Sequence, residues 1–212
     1  MRKTALVAAL MCTAMGGIAS ADTWTDPAGR VVVDLPAGWQ TQQRGAPGQT
    51  AIIAFNPAND CYIFGVENPA TASASANAAR NTTTPLAPEA WVTAASGLRD
   101  FFGSTAPSVT TQSVDTSGFW PVQRVELAGG SRPVYGALQV RPGFELRGFC
   151  SGAGGPAVFD RIFASMRHPN DASWQGDAER QAAERAAAAV QQTPQAQEQP
   201  QENNRRRRTN NN

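Results

Sequence analysis

Apolar residues recur along this chain with two different periods, and the changes of period mark out its elements. Val31, Val33 and Leu35 alternate with polar neighbours, so one face is apolar while Arg30 and Asp34 lie on the other. Just before them, Asp26-Pro27-Ala28-Gly29 has Pro at the second and Gly at the fourth turn position, and Trp24 precedes the turn. The two runs read as a β-hairpin. Pro36-Ala37-Gly38-Trp39 is a second turn; residues 51–55 are a short apolar strand, and 56–60 turn again. Residues 61–67 form another strand, with Tyr62, Phe64 and Val66 on one face.

The period lengthens after Pro88. Trp91, Ala95, Leu98 and Phe102 recur every three to four residues, and Ala94 and Phe101 widen the stripe, which predicts a helix over 88–102. Pro88 suits the first helical position, Glu89 the positive end of the dipole, and Gly103 the exit. Four strands follow at 108–114, 122–127, 134–141 and 144–150, with Val134, Gly136, Leu138 and Val140 sharing a face. Gly129-Gly130 and Pro142-Gly143 mark turns, so the connections are short and the pattern is an antiparallel meander. Val158, Phe159, Ile162, Phe163 and Met166 give a helix over 157–167, which Pro169 ends. Residues 68–86 are rich in Ala, Ser, Thr and Asn and read as a surface loop with at most a weak helical turn. The fold class expected is α+β: an antiparallel sheet with an N-terminal hairpin, one mid-chain helix and one C-terminal helix.

Composition divides the chain into three parts. Arg2 and Lys3, the apolar stretch 4–18 and the small-x-small end Ala19-Ser20-Ala21 have the form of a cleaved secretory signal, and the stretch is too short to span a membrane. The expected destination is the periplasm or the exterior. Cleavage after Ala21 leaves 16 basic against 17 acidic residues, so nothing in the overall charge favours nucleic acid. Residues 22–170 can bury one self-sufficient core. Residues 171–212 read as a tail. Its segment 177–192 has good helix formers but only Ala and Val190 to bury, predicting an exposed, marginal helix. Residues 195–212, rich in Gln, Pro, Asn and Arg, are expected to be disordered. Within them Arg205, Arg206, Arg207 and Arg208 are a candidate anion-binding cluster for lipid head groups or an acidic protein patch; the alternative is a solvated tail.

Two cysteines, Cys61 and Cys150, remain after cleavage. An oxidising compartment allows them one pairing, closing a loop for which chain entropy gives roughly 4–5 kcal/mol as an upper bound. The alternative is two buried free thiols.

The segment from Gly29 to Trp39, with Val31-Val32-Val33-Asp34-Leu35-Pro36-Ala37-Gly38 at its heart, resembles the early strand–Pro–x–Gly–Trp segment of PsbP-like and DcrB-like exported domains. Phe159-Asp160-Arg161-Ile162-Phe163-Ala164-Ser165-Met166 is similar to their last helix. The resemblance implies an α/β/α sandwich around an antiparallel sheet, over about residues 23–168. It implies no chemistry, since such domains are mostly accessory or uncharacterised.

A reaction centre is hard to assemble from these residues. His168, the one histidine, sits at a helix end, where exposure is expected. One His and two paired Cys do not supply a structural zinc set. Gly148-Phe149-Cys150-Ser151-Gly152 has the spacing of a nucleophile elbow with Cys as nucleophile, but the chain is short for an α/β-hydrolase, the sheet reads antiparallel, and Cys61 competes for the sulfur. Gly152-Ala153-Gly154-Gly155 could cradle an anion on backbone N–H groups, or simply connect strand to helix. Asp26, Asp34, Asp60 and Glu67 show no acid–base spacing, and Trp24, Trp39, Trp91 and Trp120 read as core aromatics. No cofactor or metal is implied. The reading is an exported, non-catalytic protein-interaction domain; the alternatives are a small-ligand carrier with a pocket between sheet and helix, and a Cys150-based hydrolase.

Overall fold

The computed structural model describes residues 22–45 and 51–191. Strands β1 (Asp22–Thr25) and β2 (Val32–Leu35) pair antiparallel as the N-terminal hairpin. A seven-stranded antiparallel sheet follows. It is built from β3 (Gln40–Arg44), β4 (Ala51–Asn56), β5 (Asn59–Glu67), β6 (Ser108–Asp115), β7 (Val122–Ala128), β8 (Val134–Arg141) and β9 (Phe144–Gly152). The strand order is β3-β4-β5-β9-β8-β7-β6. Helices α1 (Ala76–Arg80), α2 (Pro88–Ala95) and α3 (Arg99–Phe102) lie between β5 and β6; α4 (Gly155–Ser165) and α5 (Asp171–Gln191) follow β9.

The two sheet faces carry separate cores because side chains alternate along every strand. On one face, α4 and the hairpin share a core. Phe159, Ile162, Phe163 and Met166 pack with Val31, Val33, Leu35, Ile52, Ile63, Leu146 and both cysteines. Each of Phe159, Ile162, Phe163 and the capping Met166 contributes about 1.5–3 kcal/mol of burial. The chain leaving α4 is tied to the hairpin by two backbone bonds between Val32 and Arg167, at 2.7 and 2.9 Å. On the other face, Trp91, Ala95, Leu98 and Phe102 pack on Val125, Leu127, Val134, Leu138 and Phe149. The layers are therefore helix plus hairpin, sheet, and helix.

Four features differ from the sequence expectation. Strand β3, Gln-Thr-Gln-Gln-Arg, has no apolar alternation because it is an edge strand exposed on both faces; only backbone pairing with β4 makes it a strand. The helix expected over 88–102 is broken at Ser96-Gly97-Leu98, where the Ser96 hydroxyl bonds back to the Thr93 carbonyl at 2.8 Å. The segment 68–86 holds the short helix that its sequence allows, α1, capped by the Ser75 hydroxyl, but it is not all surface, because Ala76 and Ala79 are buried. The fourth is the start of α5, which belongs to the packed unit. Ala178 is buried with Ala76, Ala79 and Trp120, and Trp174 packs against them. Asp171 holds the buried Arg141 through Nε–Oδ1 at 2.6 Å and Nη2–Oδ2 at 3.0 Å. Beyond Ala178 the helix is exposed through Val190, as its composition implies.

Truncation separates these two halves of α5. A chain ending at Asn170 loses the carboxylate partner of Arg141 together with Trp174 and Ala178. The expected cost is about 2–3 kcal/mol, below the range for a fully buried pair because truncation also lets water reach Arg141. A chain ending at Gln181 should match the full-length protein. Urea unfolding of the three chains checks this.

Candidate functional site

The sheet face that carries α2 is only partly covered. Register places Ala51, Ile53 and Phe55 of β4 and Tyr62, Phe64 and Val66 of β5 on that side, since Ala51 opposes Phe64 and Ile53 opposes Tyr62. Among the described residues α2 and α3 pack against β6–β9, and a cleft runs along β3–β5. Two cavities meet at Tyr62. One, of about 780 Å³, is lined by Ala51, Phe64, Val66, Ala94 and Leu98, with Arg30 and Glu67 also in its lining. The other, of about 330 Å³, is lined by Ile53, Phe55, Phe101, Arg44 and Asp100. The larger falls in the size range of small-molecule sites, and its lining of apolar side chains with few polar groups fits them too.

One polar cluster stands where the cavities join. The Tyr62 hydroxyl donates to the Asp100 carboxylate, and Arg44 Nη1 lies 3.2 Å from the same carboxylate oxygen and 3.4 Å from the hydroxyl. The Tyr62 ring meets Phe101 edge-on at 5.3 Å. Burial, reinforced by the Asp100 hydrogen bond and charge, pushes the phenol up to about 12. A phenol held above its ordinary range stays protonated near neutral pH and serves as a hydrogen-bond donor. The cleft offers an apolar floor and one polar end, an arrangement that binds.

The sequence candidates fall elsewhere. Cys61 and Cys150 oppose each other in the β5–β9 register and are joined as a disulfide at the centre of the core, both fully buried. The elbow-like glycines have structural explanations. A Cβ on Gly148 would lie 2.9 Å from the Phe163 ring; one on Gly152, whose φ is +146°, would lie 2.4 Å from the Ala58 carbonyl oxygen. The cradle reading of 152–155 meets occupied amides: Ala153 N–H donates to Ala58 O at 3.0 Å and Gly154 N–H to Asn59 Oδ1 at 2.7 Å. Exposure of His168 was expected from its place at a helix end. It is instead 5 % exposed, because α5 folds back and stacks Trp174 on it.

Asp26 is buried against Arg30 at 2.6 Å. Asp34 holds Arg167 at 2.8 Å, and that guanidinium, opposed by partial burial, lowers its carboxyl. Asp60 and Glu67 line the two cavities, and Trp39, Trp91 and Trp120 are buried. Among the described residues no cluster of three His, Cys, Asp or Glu side chains could hold a metal ion, and no helix is long and apolar enough to cross a membrane. Arg205–Arg208 and the signal-like segment 1–21 lie outside the described residues. Sequence reading found the Tyr62–Phe64–Val66 face but not Arg44 or Asp100. The signal for Asp100 was a charge inside the apolar stripe 98–102; Arg44 gave none.

The architecture is a PsbP-like fold. A solution structure of cyanobacterial PsbP (CyanoP) from Synechocystis sp. PCC 6803 matches with a TM-score of 0.50 at 13% identity, over 73% of this chain and 95% of that one. A crystal structure from Bacteroides thetaiotaomicron matches with a TM-score of 0.43 at 10% identity, over 73% of this chain and 50% of that one. No family model and no curated protein matches the sequence.

Both tyrosines of the chain are held above their ordinary range: Tyr62 as described, and Tyr135 by burial and then the Glu126 charge. Absorbance titration at 295 nm should therefore show less than half of the phenol ionised at pH 10. Asp100→Asn should bring one tyrosine down toward 10 without reaching it, because burial, the largest cause, remains.

Proposed function

We propose that this chain is an exported, non-catalytic accessory domain of the cell envelope, periplasmic or secreted, that binds a protein partner through the uncovered face of β3–β5. The observation that carries this reading is the cleft itself. Phe55, Tyr62, Phe64 and Val66 form a contiguous apolar surface on the rigid sheet, with an Arg–Asp–Tyr cluster at one end. Aromatic anchors beside one polar group are what protein interfaces favour. Export rests on the signal-like segment 1–21, and the PsbP-like fold is compatible with an accessory role without dictating one. Salt-sensitive contact of Arg205–Arg208 with anionic surfaces belongs to the same proposal. No nucleic acid partner is proposed.

The second reading is a small-ligand carrier, favoured by the 780 Å³ cavity between sheet and helix. The hydrolase reading needs a free Cys150 thiol, and in the disulfide the sulfur has none to offer.

The test expresses the full chain with its own leader and a photo-crosslinking amino acid at Phe64 or, as control, at the exposed Glu179. The expected exported protein begins at Asp22 and forms a covalent protein adduct from position 64 but not from 179. A small-molecule adduct at 64 selects the carrier reading. No adduct at 64, or equal adducts at both positions, contradicts both readings.

A further inference from the structure

The start of α5 is held against the domain by a cluster that cannot accept a proton without losing contacts. The His168 ring is stacked between Phe144 of β9, at 4.5 Å between centroids, and Trp174 of α5, at 4.6 Å. Trp174 meets Trp120 edge-on, and Trp120 carries the Arg141 guanidinium on its face at 4.3 Å. His168 Nδ1 accepts the Asn170 backbone N–H at 3.1 Å, so the neutral ring carries its hydrogen on Nε2. That Nε2 is buried with no hydrogen-bond partner.

A proton can add only at Nδ1, where the lone pair faces the Asn170 N–H. Protonation converts that acceptor into a donor pointing at a donor, and the imidazolium then has two N–H groups with no acceptor in the cluster. The charged groups facing the ring are Asp171 of α5 and Arg141 of β8. β9 presents Phe144, which is uncharged, and Arg167 at the end of α4 is engaged by Asp34. Asp171 favours the cation, but its oxygens already accept from Arg141 and from the His168 backbone N–H. Ties between α5 and the domain gather in one patch: Asp171, Trp174, Ala178 and the Asn77–Gln181 side-chain bond.

We propose that His168 makes the start of α5 an acid-released latch, in which proton uptake by the imidazole frees the first turns of α5 from β8, β9 and α1. The sign follows from linkage. Burial, the largest influence, and the Arg141 charge hold the docked imidazole below its ordinary 6.5, against the opposing pull of Asp171. The released helix binds the proton first. Docking is therefore complete above 6.5 and weakens as pH falls from there toward the docked value, by about tenfold in the docked-to-released ratio per pH unit. Below the docked value no further change is expected.

His168 is the only histidine of the chain, so its ring protons titrate alone in an NMR spectrum of the full-length protein. The expected result is a ring that titrates below 6.5. Alongside it, hydrogen exchange of peptides covering 168–178, corrected for intrinsic rate, should show protection falling between pH 7 and pH 5 by about tenfold for each pH unit that the ring titrates below 6.5. Exchange over 168–178 should stay faster than in β5 and β9 at both pH values, because the helix opens without the sheet. His168→Phe, which keeps a stacking ring but no proton site, should keep α5 equally protected at both pH values. A ring that titrates at or above 6.5 overturns the latch. So does unchanged wild-type protection over 168–178, exchange there no faster than in the central strands, or the same pH-dependent loss in His168→Phe. The wild-type measurements decide the question if His168→Phe does not dock α5.

Discussion

The pairing of β5 with β9 is where the two halves of the sheet meet. Strands β3, β4 and β5 form one run of neighbours and β9, β8, β7 and β6 the other; the nine-residue ladder from Asn59–Gly152 to Glu67–Phe144 is their one junction. Its strands are far apart in sequence, so closing it carries the largest loop entropy of any pairing in the sheet. The Cys61–Cys150 bond lies inside this ladder and restrains the same loop in the unfolded chain, which lowers the entropy lost on pairing. The register it marks also sets which side chains face which way. Cys61, Ile63 and Leu146 face α4, while Tyr62, Phe64 and Phe149 face α2. A slip of one residue would exchange those sets. Both cores and the cleft depend on this one alignment.

That dependence explains what was legible in the sequence. The hairpin, the meander, α4 and the Tyr62–Phe64–Val66 face announce themselves because each has a local period that burial on one side demands. The cysteine pairing could be named because only one was available. Features set by contacts distant in sequence were not legible. β3 is a strand only because β4 is beside it. The Arg44–Asp100 contact joins residues 56 apart. The docking of α5 rests on Arg141, Trp120 and Phe144, which present no periodic signal to the tail they hold. His168 shows the same limit: its place beside Pro169 suggests exposure, and only the return of Trp174 buries it.

The molecule divides its work by face. The α4 face is closed by helix and hairpin and carries the disulfide, so its residues serve cohesion. The opposite face is closed over β7–β9 and open over β3–β5, and there the apolar side chains of β4 and β5 line a cleft beside the Arg44–Asp100–Tyr62 cluster. The packed part of α5 sits at a third place, on the end of β8 and β9 beyond the cleft, so release of the helix would leave both sheet faces as they are. Stability is thereby concentrated in the central ladder, with more readily opened elements at its margin.

The central claim is that Cys61 and Cys150 act as structure, locking the junction on which the cleft depends, and perform no chemistry. Thiol counting on the protein expressed with its own leader and denatured without reductant tests it most directly. No free thiol should be found, and prior reduction should release two while lowering the unfolding free energy by about 2–5 kcal/mol. Two free thiols in the unreduced protein would contradict the account and return Cys150 to consideration as a nucleophile.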